Sequence, residues 1–324
     1  MTATGAPAPL SLRVSVTDRC SLRCRYCVPP EGHRRLSPRD ILSFEEIVRL
    51  VQILKSYLSL TKIHLTGGEP LVRRNVEVLV EKLAAENLPD LALTTNGQHL
   101  LSAASRLWRA GLRRLNVSLD SLNPRTYREL TNGGELKPVL AGIEEALRLG
   151  FAPFKLNVVV LRGINDGEIE ALARFGLKRG CTVRFLELMP IGPHAPRFQE
   201  WFVSSAEVSE KLAAAFELRP RAARAGGSSR EYEARDGRGV EGVIGFISSH
   251  TEPFCEGCSR LRVTATGNLL GCLGREESVN LRPLLRENSP ADSREVLKAV
   301  EFALRLKQKR RHFDQQSPMV AFGG

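Results

Sequence analysis

Thr17–Cys27 reads TDRCSLRCRYC, three cysteines spaced C-x3-C-x2-C, directly after the β-rich run LSLRVSV at Leu10–Val16. A structural zinc site takes four ligands, normally as two C-x2-C pairs. Here one gap is three residues, and the nearest candidate for a fourth ligand is His33. Three thiolates from Cys20, Cys24 and Cys27 suit a [4Fe–4S] cluster that leaves one iron open. An open iron can chelate the amino and carboxylate groups of a ligand. Tyr26, just before the last cysteine, offers a ring that could pack on an adenine, and ordinary loop packing is its alternative.

Outward from this motif, residues 10 to about 190 alternate β-rich runs with amphipathic segments. The predicted strands are Leu10–Val16, Thr61–Leu65, Leu91–Thr95, Arg114–Ser118, Phe154–Val160 and Thr182–Glu187. A helix is expected after Ser43, which with Glu46 forms a capping-box pattern ahead of Phe44, Ile47, Val48, Val51, Leu54 and Leu58. Such alternation implies an α/β fold with a parallel sheet and right-handed crossovers. Six units are too few for the usual eight-unit barrel, so the expectation is an open, partial (βα)6 barrel of TIM type over residues 1–190. Residues 191–324 read as a C-terminal extension packed against it, with an exposed loop or hairpin at Arg219–Gly239, a helix at Ser293–Lys309 and a Gly323-Gly324 tail.

In a parallel barrel the ligand side is the C-terminal mouth. Strand two runs into Thr66-Gly67-Gly68-Glu69-Pro70, where paired glycines permit close backbone approach to a ligand and a carboxylate can pair with an amino group. Strand three ends in Thr94-Thr95-Asn96-Gly97, strand four in Ser118-Leu119-Asp120, strand six in Glu187-Leu188-Met189-Pro190. Each alone is compatible with a turn or cap; together they outline one site. A second group, Cys255-x2-Cys258 and Cys272, suits either a zinc knuckle completed by His250 or His312 or a second three-cysteine cluster. Cys181, alone, reads as a small buried residue.

The 324 residues carry a formal charge of +11, 42% hydrophobic and 26% charged residues. The composition is that of a globular chain. No run is long and apolar enough to span a bilayer, and MTATGAPAPL lacks the features of a secretory signal. A cytoplasmic protein with reduced thiols is expected. The positive charge is spread along the chain without interleaved aromatic residues, so a solvated arginine-rich surface or a phosphorylated small substrate explains it better than nucleic acid.

The C-x3-C-x2-C spacing with its aromatic residue resembles the radical S-adenosylmethionine superfamily. LRVSVTDRCSLRCRYCVPP, LTGGEPLVRR, LTTNG, LRRLNVSLD, KLNVVVLRGIND, RFLELMPIG, FCEGCSRLRVTATGNLLGCL and the terminal Gly-Gly together resemble the molybdenum cofactor biosynthesis protein A family, the GTP 3′,8-cyclases. The resemblance implies two [4Fe–4S] clusters, on Cys20, Cys24 and Cys27 and on Cys255, Cys258 and Cys272, with S-adenosylmethionine at the first and the guanine of GTP at the second. It places Tyr26, Gly68, Glu69, Ser118 and Met189 at S-adenosylmethionine, and Arg13, Thr94, Lys155, Arg260 and Arg262 at GTP. It implies a glycine tail that reaches into the active site. The family usually has arginine at position 64; His64 here is expected to donate one hydrogen bond, to be compensated by Arg73 or Arg74, or to weaken triphosphate binding. Implied partners are GTP, a downstream cyclic pyranopterin monophosphate synthase and a reductant protein, with no stable nucleic-acid partner and no membrane; whether the chain is a homodimer is left open. The rival readings are a peptide-modifying radical enzyme with an auxiliary cluster and a zinc-stabilised nucleic-acid-binding protein.

Overall fold

Runs that alternate apolar with polar residues form strands where the sequence places them: β1 Leu10–Ser15, β2 Leu60–Thr66, β3 Asp90–Thr95, β4 Arg114–Ser118, β5 Phe154–Val159 and β6 Thr182–Leu186. This is a computed structural model describing residues 9–29, 32, 35–222, 227–255, 258–286, 290–307 and 317–322. The six strands pair in sequence order, each parallel to the next. Parallel neighbours require crossovers, supplied by α1 Phe44–Tyr57, α2 Val76–Ala85, α3 Leu100–Arg109, α4 Pro124–Thr131, α5 Leu136–Arg148 and α6 Ile169–Leu177. The capping box at α1 is closed in both directions: Ser43 Oγ accepts from the Glu46 amide at 3.1 Å, and Glu46 accepts from the Ser43 amide at 2.6 Å.

Strand alternation then sorts the side chains. Leu12, Val14, Ile63, Leu65, Leu93, Leu115, Val117, Leu156, Val158, Val183 and Phe185 lie in the core shared with the helices, as does Cys181. The opposite face carries Arg13, Lys62, His64, Thr94, Arg114, Asn116, Ser118, Lys155, Asn157 and Arg184. A closed barrel fills its interior with branched apolar side chains; this one is lined with cations, amides and hydroxyls, which need a polar occupant.

The C-terminal extension, expected to pack against the barrel and close its open side, adds strands to both edges of the sheet. A meander of β7 Glu217–Pro220, β8 Arg230–Arg235 and β9 Glu241–Ile247 joins β6 through β9, and β10 Arg260–Val263, β11 Asn268–Leu270 and β12 Ser278–Asn280 join β1 through β10. The pairings β6–β9 and β1–β10 are parallel, so β10 places Arg260 and Arg262 beside Ser11 and Arg13. Of the two forms expected at Arg219–Gly239, an exposed loop or an extended hairpin, the structure has the hairpin, with β7 antiparallel to β8. Helices α7 Phe198–Trp201, α8 Ser205–Ala213, α9 Arg282–Arg286 and α10 Pro290–Lys307 complete the extension. Among the described residues no helix is long and apolar enough to cross a membrane.

Candidate active site

The cysteine loop leaves the end of β1 and is tied to the end of β2. The Gly68 amide donates to Thr17 O at 2.7 Å and the Glu69 amide to Arg19 O at 2.8 Å. A Cβ on Gly67 would lie 2.8 Å from Thr17 O, and one on Gly68 would lie 2.4 Å from Arg19 O. The close approach that the glycine pair permits is therefore to the cysteine loop itself. Glu69 is buried; it accepts from the Leu71 and Asn96 amides at 2.9 and 2.6 Å and from Thr95 Oγ1 at 2.7 Å. Burial pushes its carboxyl up to about 7, against those three donors. Its oxygens thus bind the mouth of the barrel together.

The thiols of Cys20, Cys24 and Cys27 lie near enough to oppose one another's ionisation. Burial, then each other's charge, lifts Cys24 well above the usual thiol value and Cys27 to about 12. Three half-buried thiols that resist deprotonation alone want a positively charged metal group as counter-charge. Cys20 Sγ accepts from the Leu22 amide at 3.4 Å and Asn96 Nδ2 at 3.6 Å, and the backbone of Val320, in the C-terminal segment, is near enough to work against the rise at Cys27. Tyr26 packs on the Leu130, Leu161, Leu188, Phe198 and Trp201 patch. Its hydroxyl donates to Asp120 Oδ2 at 2.6 Å, while Asp120 Oδ1 accepts from the Val159 amide at 2.8 Å. Ser118, half-buried, lies one inward position before Asp120 at the same mouth. Met189 packs with Ile191, Leu270, Leu273 and Phe322, between the barrel and the C-terminal segment.

Deeper in the lumen the cations gather. Arg13 pairs in register with Arg262 and with His64. Burial, then Arg262, Arg260 and Arg184, hold the Arg13 guanidinium well below its usual value. Burial, with Arg260 next, takes Arg262 down to about 9. Lys155 meets Glu231 at 3.2 Å, and burial lowers it to about 8. Lys62 and Arg114 share Asp90 at 3.2 and 2.5 Å, and Arg184 donates to Asn157 Oδ1 at 2.6 Å. Two carboxylates, Asp90 and Glu231, do not balance this many cations, so the lumen is built for an anion with several charges.

His64 lies in a polar triangle: Nε2 is 2.6 Å from Thr94 Oγ1 and 3.1 Å from Asn116 Nδ2, and Asn116 Nδ2 donates to Thr94 Oγ1 at 3.2 Å. Burial, followed by Arg13, Lys62, Arg184 and Arg114, holds the imidazole well below its usual value. His64 is a neutral partner of Thr94. Neither expected compensator reaches it: Arg73 donates to Val16 O and Leu42 O at 2.6 and 2.7 Å and covers the Phe44 ring, and Arg74 is exposed. Asn116 is fully buried, and its Oδ1 finds no partner among the described residues, leaving an acceptor for a ligand.

At the second cysteine group Cys258 and Cys272 flank β10 and β11. Cys258 Sγ lies 3.2 Å from Lys307 Nζ. Although burial raises a thiol, Lys307 and then Arg260 hold Cys258 below its usual value. Cys255 is exposed. The His250 ring packs edge-on to Phe198 and Phe202; His33, His312, Gly323 and Gly324 lie outside the described residues.

Residues 14–176 match the Radical SAM superfamily, and residues 181–313 match Molybdenum Cofactor Synthesis C. A GTP 3′,8-cyclase of Geobacter sulfurreducens is 44% identical over 291 residues, 89% of this chain and 88% of its own. One from Pseudomonas syringae pv. syringae is 45% identical over 298 residues, 91% of this chain and 88% of its own. The chain belongs to the GTP 3′,8-cyclase family. In fold it is similar to Streptococcus suis SuiB at 14% identity and a TM-score of 0.60, covering 87% of this chain and 64% of that one. SuiB bound to S-adenosylmethionine matches at 13% identity and the same TM-score of 0.60, covering 97% and 77%.

As a member of the GTP 3′,8-cyclase family the chain uses S-adenosylmethionine and iron–sulfur clusters, and its two thiol groups fit them. Among the described residues no three His, Cys, Asp or Glu side chains converge on a single ion; in a [4Fe–4S] cluster each thiolate meets its own iron, so convergence is not required. Sequence reading missed Lys62, Arg114 and Arg184. Their signal was available: each stands an even number of residues from a predicted lumen residue on its own strand, or on the strand beside one.

Proposed function

We propose that the chain performs the cyclase reaction with S-adenosylmethionine at the barrel mouth and GTP in the cationic lumen. Cys20, Cys24 and Cys27 would hold the first cluster, which with S-adenosylmethionine would supply a 5′-deoxyadenosyl radical able to take hydrogen from C3′ of GTP. The ribose carbon then bonds to C8 of guanine, and one electron and one proton complete 3′,8-cyclo-7,8-dihydro-GTP, the first step of molybdenum cofactor biosynthesis. The observation that carries this reading is the lumen itself: Arg13, Lys62, Arg184 and Arg262 share its inward face, with Arg262 near Cys258 and Cys272.

The chain's own groups divide the work by depth. Tyr26, Gly68, Glu69, Ser118 and Met189 form the cofactor end, with Glu69 and Asp120 fixing its shape through the bonds described above. Arg13, Lys155, Arg260 and Arg262, joined by Lys62 and Arg184, hold the triphosphate, since guanidinium forks match phosphate oxygens in pairs. Thr94 lies between the two ends, positioned by His64 and Asn116. The glycine tail follows a segment whose Val320 backbone already lies near Cys27. A separate reductant protein supplies electrons, and the product passes to cyclic pyranopterin monophosphate synthase.

Anaerobic reconstitution with iron and sulfide tests the two-cluster premise. About eight irons per chain with broad absorbance near ~400 nm are expected. Two tightly held zinc ions and a colourless protein would overturn it.

A further inference from the structure

Lys307, the last residue of α10, reaches from the extension's helix into the second cysteine group. Its ammonium meets Cys258 Sγ at 3.2 Å, Gly271 O at 2.8 Å and the carbonyl oxygen of Arg260. An ammonium has three N–H donors, and these three acceptors use all of them. They belong to three stretches that a cluster would need held together: the loop carrying Cys258, the start of β10 with its two arginines, and the residue before Cys272. Gly271 tightens the same contact from the other side, because a Cβ there would lie 2.2 Å from Ala303 O in α10. The helix backbone and the end of β11 therefore touch without an intervening side chain.

A lysine is strongly hydrated and seldom buried without cause. Here the half-buried side chain exchanges part of its water for two backbone carbonyls and a sulfur. Once Cys258 is a metal-bound thiolate, the contact becomes a charge-assisted N–H···S hydrogen bond. Hydrogen bonds to cluster sulfurs and nearby charge set a cluster's reduction potential. Groups that orient metal ligands are worth about 10- to 100-fold in metal affinity.

We propose that Lys307 is a positioning residue for the second cluster: it fixes Cys258 relative to Cys272 and stabilises the cluster's added negative charge on reduction. The proposal rests on the reading of Cys255, Cys258 and Cys272 as an iron–sulfur site. Its direction is set by charge: removing the cation leaves the reduced, more negative cluster less stable, so the potential falls.

The test uses the full chain with Cys20, Cys24 and Cys27 replaced by alanine, so that bound iron reports the second group. After anaerobic reconstitution the parent is expected to hold about four irons. In that background Lys307→Met should hold iron about 10- to 100-fold less tightly against a competing chelator and show a lower midpoint potential by spectroelectrochemistry. Lys307→Arg, which keeps charge and donors, should restore the potential toward the parent value. Parent-like affinity and potential in Lys307→Met overturn the proposal; a parent that takes up no iron overturns instead the reading of the second cysteine group. Should Lys307→Met melt before reconstitution, Lys307→Gln, which keeps a donor without the charge, carries the same comparison.

Discussion

Arg13 and Arg262 are register partners across the parallel pairing of β1 and β10. Two guanidinium groups side by side on a buried face repel each other, and the fold keeps them there by joining the first strand of the barrel to a strand some 250 residues later in the chain. An anion between them turns that repulsion into attraction, and this is the simplest physical reason for the arrangement.

Replacing Arg262 by alanine should therefore weaken GTP binding about 10- to 100-fold, the loss of one charge-assisted contact of ~1.5–3 kcal/mol. Slow cleavage of S-adenosylmethionine without GTP should persist, because Arg262 belongs to the nucleotide end. Equilibrium dialysis of GTP and chromatography of 5′-deoxyadenosine check the two halves. Equal loss of both would show that the site is not divided by depth.

His64 should stay neutral across the working range. Its folded-state value lies below the ordinary 6.5, so the unfolded chain binds the proton first as pH falls. Stability from this group is complete above about pH 6.5 and declines below it. Imidazole NMR should show no protonation of His64 at pH 6.5, and the slope of melting temperature against pH below that point should flatten in His64→Gln. A His64 signal titrating at its ordinary value would contradict the neutral triangle with Thr94 and Asn116.

Restoring the family's usual residue with His64→Arg should lower the melting temperature of the ligand-free protein, since it adds a cation beside Arg13 and Lys62. The same change should increase the stabilisation given by GTP. Thermal melts with and without GTP read both effects. A variant with higher ligand-free stability and no added response to GTP would show that position 64 does not face the triphosphate.

Gly68→Ala should cost the first cluster before it costs the fold. The added methyl meets the Arg19 carbonyl, backbone that cannot rotate aside, so the cysteine loop must shift. About half the iron of the parent, with the second group still loaded, is the expected content by iron assay. Full iron content would show that the loop absorbs the methyl.

The barrel strands, the α1 cap and the buried Cys181 were legible because each rests on local periodicity or polarity. The convergence of Thr94, Ser118 and the cysteine loop followed from the rule that strand ends share a mouth, whereas Lys155, at the start of its strand, came only from the family resemblance. The lumen cations Lys62, Arg114 and Arg184 carried a spacing signal but were passed over, because a charged residue in a strand looks like a solvated one until the sheet curves around it. Lys307 was hidden more deeply. Nothing in Leu304-Arg305-Leu306-Lys307 distinguishes it from an exposed helix end; only the packing of α10 on β11 does. Edge placement of the extension was likewise invisible, since pairing of β10 with β1 joins segments far apart in sequence.

In the proposed reaction one cavity joins a radical source to a nucleotide. Its most direct test is anaerobic incubation of the reconstituted chain with reductant, S-adenosylmethionine and GTP, followed by mass analysis. 5′-Deoxyadenosine is expected together with a product isomeric with GTP and separated from it by chromatography, since the hydrogen lost from C3′ is replaced by the added electron and proton; neither forms when S-adenosylmethionine is omitted. Deoxyadenosine with GTP recovered unchanged would contradict it.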